Sequence, residues 1–75
     1  MKALLEFQLP DDQSDYIVAV HAMDWYLTAW DIDQDLRRWL KYGHKFESAD
    51  EALEGVRERL WSIMEERGIS MDMGG

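Results

Sequence analysis

Residues 29–39 read AWDIDQDLRRW, and this segment decides the fold because two structures compete for it. Aspartates at alternate positions, Asp31, Asp33 and Asp35, resemble the opening of a calcium-binding loop. A loop beginning at Asp31 needs glycine at its sixth position and glutamate at its twelfth, but this chain has leucine and tyrosine there. The metal interpretation fails at both positions, and we therefore expect a helix with a charged surface.

The apolar residues around this segment recur with the period of a helix. At about 100° per residue, one face collects six apolar side chains, which we expect in the core: Trp25, Ala29, Ile32, Leu36, Trp39 and Leu40. The opposite, solvent-facing side carries four charged residues: Asp24, Asp31, Asp35 and Arg38. The same spacing predicts two ion pairs along the helix, Asp33–Arg37 and Asp35–Arg38.

The boundaries of the first two helices follow from the flanking residues. Gly43 is a helix stop. One helix over residues 11–42 would be about 48 Å long at about 1.5 Å per residue, which is too long for a domain of this size. We therefore expect a first helix over residues 11–22, a break near His21 to Asp24, and Asp24 as the N-cap of the second helix.

A third helix is indicated by the sequence SADE at residues 48–51. Ser48 is expected to cap the helix while Glu51 reaches back, which is a capping box, and Gly68 supplies the stop. The expected core face of this helix has seven members: Ala49, Ala52, Leu53, Val56, Leu60, Ile63 and Met64.

The N-terminal residues alternate between apolar and other side chains, which predicts a strand. Its buried side would consist of Ala3, Leu5, Phe7 and Leu9. A strand needs a partner, and either a short C-terminal strand over residues 69–73 or a second copy of the chain could supply it. The expected fold is mostly α within the α+β class, with one small domain over residues 1–75 and a frayed tail over residues 72–75.

Composition limits the range of functions. The chain has 75 residues, with 16 acidic and 8 basic side chains, and its formal net charge is −8. This charge disfavours direct contact with nucleic acid and favours a partner protein with a basic surface. With no cysteine and two histidines we expect neither metal nor cofactor. With no signal peptide or membrane span, we expect a cytoplasmic protein that does not bind membranes.

No arrangement typical of catalysis occurs. The two histidines, His21 and His44, lie in separate connections, and no serine has a nucleophile motif around it. A glycine-rich phosphate loop is also missing from the sequence. We therefore expect a protein that is not an enzyme.

Two rows of carboxylates are the candidate binding residues. The row on the third helix consists of Glu51, Glu54, Glu58 and Glu65, and a separate row on the second helix consists of Asp24, Asp31 and Asp35. Carboxylates that recur about every 5.4 Å are comparable in scale to phosphates of nucleic acid, so such rows could occupy a basic groove. The alternative is a solvated helix face that only keeps the protein soluble.

Large side chains at the edges of the predicted faces are a second set of candidates. They are Leu27, Trp30, Tyr42 and Trp61. Such residues often anchor a partner, and in a small protein they equally often cover the rim of the core. They support an alternative function, a homo-oligomeric structural or regulatory helical module that binds itself or another helical protein.

A longer segment, WDIDQDLRRWLKYGHKFESADEALEGVRERL at residues 30–60, resembles a family of small uncharacterised proteins encoded by bacteriophages. The likeness extends to MKALLEFQLP at the start and MEERGIS near the end. It implies a phage protein in a bacterial cytoplasm, with no activity and no site residues to carry over. Our expected function is an inhibitor that mimics nucleic acid toward a host nucleic-acid-binding or defence protein.

Overall fold

A computed structural model of the chain describes residues 1–74, and these residues form three α-helices. The elements are α1 (Gln13–Val20), α2 (Ala22–Tyr42), α3 (Ala49–Arg67) and a short 3-10 helix (Met71–Gly74). Helices α2 and α3 form an antiparallel hairpin, while α1 packs against the 3-10 helix. Residues 72–74 of the expected frayed tail belong to that 3-10 helix, and Gly75 lies outside the described residues.

The predicted strands are wrong, because residues 1–74 contain no strand. Residues 1–8 have no regular secondary structure, and Leu4, Leu5 and Leu9 are exposed. The C-terminal segment cannot pair with them because its backbone is already used: the Ile69 N–H donates to the Met64 carbonyl at 3.0 Å as α3 ends. Alternation of apolar residues is a weak signal for a strand when the chain offers no second strand to bond.

The predicted break between α1 and α2 is confirmed at His21, which ends the first helix and precedes the second. Asp24 as the N-cap is wrong. Hydrogen bonds continue across the break, with the His21 N–H donating to the Ile17 carbonyl and the Trp25 N–H donating to the His21 carbonyl. The backbone N–H groups that Asp24 would cap are therefore mostly occupied, and its carboxylate lies 3.0 Å from His21 Nδ1 instead.

Both predicted ends of α3 are confirmed. The Glu51 N–H donates to Ser48 Oγ at 3.1 Å, and the Glu51 carboxylate accepts from the Glu47 N–H at 2.7 Å. At the other end Gly68 adopts the left-handed conformation, with φ 69°, and its N–H donates to the Glu65 carbonyl. Local hydrogen bonds at each end therefore define this helix.

Helix α2 turns a different face toward α3 than its apolar period predicts. Its buried residues are Thr28 and Asp35, whereas Leu36 and Leu40 from the predicted core face are exposed. The cause lies on α3, where arginines form ion pairs with the aspartates of α2. A buried carboxylate is acceptable when a guanidinium satisfies it, so the polar side of α2 becomes the contact.

The buried core is small for the length of the chain. Among residues 1–74, three apolar residues are buried, namely Ile63, Met64 and Ile69. The radius of gyration is 16.4 Å, while a compact chain of this length has about 11 Å. The accessible surface is 6438 Å², about 1,600 Å² more than a compact monomer of this mass exposes. None of the helices in residues 1–74 combines the length and the apolar content needed to cross a membrane.

Candidate functional site

The outer face of α3 carries the best-formed group of predicted binding residues. Glu54, Glu58 and Glu65 are all exposed, and none of them takes part in an ion pair among residues 1–74. Trp61 occupies the helical turn between Glu58 and Glu65, so the row has a spacing of four, three and four residues. We call these four residues the α3 row; they extend over about 16 Å of helix.

Trp61 gives the α3 row an apolar centre. It remains 42% exposed, and the Arg57 guanidinium lies over its ring, 5.7 Å from the centroid. A shallow depression follows the row, lined by Glu54, Arg57, Glu58, Trp61, Ser62 and Glu65. Carboxylates around an amphipathic ring can bind the cationic head and the apolar stem of lysine or arginine together.

Glu51, the fourth predicted member of the row, has a structural role. Its carboxylate accepts the Glu47 N–H at the start of α3. It is exposed, but a partner cation would compete with this capping hydrogen bond. The usable carboxylates on this face are therefore the other three.

The second predicted row is not a free acidic surface, and its placement on the solvent side of α2 is wrong. Asp31 accepts a hydrogen bond from Arg67 Nη2 at 2.8 Å, across the helical hairpin. Asp35 is 5% exposed and accepts from Arg59 Nε at 2.7 Å, as well as from Arg38 at 2.8 Å. Most of these carboxylate charges are neutralised inside the protein, so this row cannot present a line of charge to a partner.

Asp35 is the electrostatic centre of the α2–α3 contact. The hydrogen bond to Asp35 is the largest cause that raises the pKa of the Arg59 guanidinium. Burial lowers this pKa by less, and the nearby negative charges of Asp35, Glu66 and Asp31 raise it further. The predicted Asp35–Arg38 pair is confirmed, while the predicted Asp33–Arg37 pair does not occur among residues 1–74. The helical hairpin is therefore held by ion pairs where the sequence suggested apolar contact.

The aromatic and apolar candidates do not form one patch. Trp30 and Tyr42 are exposed, but they lie about 18 Å apart along α2 and on different sides of it. Leu27 is half-buried. Only Trp61 joins other predicted residues, and it joins the carboxylates of α3.

Exposed residues along α2 form a further set, of which only Trp30 was among the predicted binding residues. They recur at alternating spacings of three and four residues on the side of the helix opposite α3. We call them the α2 outer stripe: Met23, Tyr26, Trp30, Asp33, Arg37 and Leu40. Their spacing is visible in the sequence, but Trp25, Ile32 and Trp39 belong to a more strongly apolar face of the same helix.

No feature of the described residues points to metal-dependent chemistry. Within residues 1–74, no group of three or more histidine, aspartate or glutamate side chains is placed to hold a metal ion. Asp31, Asp33 and Asp35 all lie within helix α2, which excludes the calcium-loop interpretation of this segment.

Comparison with protein-family models, with curated protein sequences and with solved structures found no match to this chain. Among residues 1–74, the α3 row and the α2 outer stripe are the two candidate binding surfaces.

Proposed function

We propose that this chain is a non-enzymatic protein that binds a basic surface of a partner protein through the α3 row. The observation that carries this function is the position of Trp61 within a line of glutamates that have no ion pair in the described residues. A face kept acidic only for solubility has no need of a large aromatic side chain at its centre.

The charge of the chain supports a basic partner. The net charge of −8 attracts a cationic surface over long range, and Glu54, Glu58 and Glu65 concentrate negative charge on one helix face. Trp61 would then bury its ring against the stems of the partner's lysines or arginines and slow release. The glutamates of this surface would thus speed association with the partner, while Trp61 would slow dissociation.

The partner class we favour is a host nucleic-acid-binding or defence protein in a bacterial cytoplasm. Grooves that bind phosphates present rows of lysine and arginine, and a line of carboxylates fits such a groove. The bacteriophage setting comes from the sequence resemblance alone. Because the aspartates of α2 are paired internally, the mimicry would use one row of charge and not two.

A helical module that binds through apolar side chains is the second candidate. It is favoured by the unusually large accessible surface, 6438 Å², and by exposed aromatic residues such as Trp30 and Tyr26 on α2. This function uses a different helix face and does not compete with the α3 row for the same residues.

A differential pull-down from bacterial lysate tests the function of the α3 row. The baits are the wild-type chain, the Glu54→Lys/Glu58→Lys variant, and a Trp61→Ala variant. At low ionic strength we expect the charge reversal to lower the association rate of the captured partner by about 10-fold to 100-fold. Trp61→Ala should mainly raise the dissociation rate, since it removes the anchor and keeps the charge.

The matched control is the Glu6→Lys/Asp15→Lys variant, which changes the net charge equally but on other segments. Both of its positions are exposed, and circular dichroism should show that all variants keep their helices. Equal association rates for the two double variants would contradict a role for the α3 row. Failure of DNA and RNA to compete with wild type for the partner would reject nucleic-acid mimicry and leave ordinary protein binding.

A further inference from the structure

The α2 outer stripe has the spacing of a helix-packing seam. Its members follow intervals of three and four residues over 18 positions, which is the heptad pattern of helices that pack along each other. Its four large apolar or aromatic residues are between 53% and 85% exposed: Met23, Tyr26, Trp30 and Leu40. Among residues 1–74 no other element covers this side of α2, because α3 packs on the opposite side at Thr28 and Asp35.

The two charged residues of the stripe indicate what covers it. Asp33 and Arg37 lie one turn apart, both are exposed, and neither forms an ion pair among residues 1–74. If a second α2 runs antiparallel with the two-fold axis beside position 35, Asp33 lies opposite Arg37 of the partner subunit. Symmetry repeats this contact, so both charged pairs are satisfied at once.

The same register also pairs two of the four apolar residues, whereas Met23 and Tyr26 lie outside the overlap because the positions opposite them come after Tyr42, the last residue of α2. Trp30 then lies opposite Leu40 of the partner subunit, and this contact too occurs twice. Sliding the helices by one heptad would set Trp30 against Asp33 and leave both aspartates without a cation. Among antiparallel arrangements, the charges therefore select the register centred beside position 35.

The chain exposes about 1,600 Å² more surface than a compact monomer of its mass. Each partner in a standard protein–protein interface buries about 800 Å². This excess belongs to the whole chain, and the uncovered side of α2, where Trp30 is 53% and Leu40 85% exposed, contributes part of it.

We propose that two copies of this chain form a symmetric dimer through antiparallel α2 helices, with Asp33–Arg37 ion pairs and Trp30–Leu40 contacts across the two-fold axis. This dimer differs from the one expected from an N-terminal strand, since it uses helix α2 and leaves residues 1–8 free. It also goes beyond the function of the α3 row, which lies on the other helix of the hairpin.

Charge reversal at the two stripe positions tests both the dimer and its register. The wild type should sediment at twice the chain mass of 8.9 kDa at micromolar concentration and moderate salt, where repulsion between two acidic chains is screened. Asp33→Arg places two arginines together, and Arg37→Asp places two aspartates together. Each variant alone should dimerise at least about tenfold more weakly.

An equimolar mixture of Asp33→Arg and Arg37→Asp should dimerise again, because every arginine then faces an aspartate. Circular dichroism should show unchanged helix content for each variant, since neither residue contacts the rest of the fold by an ion pair. Glu58→Lys is the control for a charge change outside the seam, and it should remain dimeric. A Trp30→Ala variant should be monomeric in every mixture.

A monomeric wild type would overturn this dimer. Single variants that stay dimeric, or a mixture that stays monomeric, would overturn the register and with it the charge argument. The result is independent of the α3 row, because Asp33→Arg should still capture the basic partner while Glu54→Lys/Glu58→Lys should still dimerise.

Discussion

Replacing Asp35 tests whether an ion-pair network holds the helical hairpin together. The Asp35→Ala variant removes two charge-assisted hydrogen bonds, to Arg59 at 2.7 Å and to Arg38 at 2.8 Å. Hydrogen bonds to charged groups contribute about 1.5–3 kcal/mol each, but both arginines remain partly exposed and can return to water. The burial cost of the carboxylate is also relieved. We expect a net loss of about 2 kcal/mol in the free energy of unfolding.

Urea unfolding followed by tryptophan fluorescence measures this loss, and all variants should carry Asp33→Arg so that self-association does not contribute. Arg59→Ala should cost about 1–2 kcal/mol, and the double variant should cost less than the sum of the singles because the pair is coupled. An Asp35→Leu/Arg59→Met variant should regain most of the stability, since apolar residues can replace a buried ion pair. A cost below about 0.5 kcal/mol for Asp35→Ala would refute the network as the source of hairpin stability.

The pKa of Arg59 sets the pH range over which this pair contributes. Because the pKa is raised in the folded state, chiefly by the hydrogen bond to Asp35, the folded protein holds the arginine proton more tightly than the unfolded chain. Its contribution is therefore complete below the ordinary pKa of arginine. It is lost in the strongly alkaline range, as pH rises through the folded-state value.

Two further changes test local packing, and urea unfolding measures both. Ser48→Ala should cost about 1 kcal/mol, because the Glu51 N–H loses its side-chain acceptor, and Ser48→Asp as the control should cost little. Gly55→Ala should destabilise by about 1 kcal/mol although alanine favours helices, since a Cβ there would overlap the ring of Phe46. A stabilised Gly55→Ala variant would mean that the ring moves aside freely from Trp39, which it contacts edge-on.

The features that the sequence predicted correctly are set by local hydrogen bonds. Ser48 and Glu51 fix the start of α3, and Gly43 and Gly68 follow the last residues of α2 and α3. The usable α3 row also follows from local geometry, because three-residue and four-residue spacings alone place Glu54, Glu58 and Glu65 on one face. Helix caps and helix stops of this kind can be identified from a single sequence, whereas the equally local Asp33–Arg37 pair was predicted and does not form among residues 1–74.

Most of the predictions that failed depended on partners distant in the sequence. The apolar period of α2 places Asp35 on the solvent side, but Arg59, 24 residues away, makes its burial acceptable. The predicted core positions of Leu36 and Leu40 required α3 to pack on the apolar side of α2, but both residues are exposed. The predicted N-terminal strand required a neighbouring strand, but residues 69–73 instead form the end of α3 and part of a 3-10 helix.

The small buried core also determines how the protein responds to temperature. The heat capacity change of unfolding comes mainly from newly exposed apolar surface, and a typical domain of this length shows about 1 kcal/mol/K. With three buried apolar residues among residues 1–74, the isolated chain exposes less new apolar surface than such a domain. Its stability curve is correspondingly flat, so cooling weakens the isolated chain little. Any partner that covers the apolar surface would increase the heat capacity change of unfolding and the curvature of the stability curve.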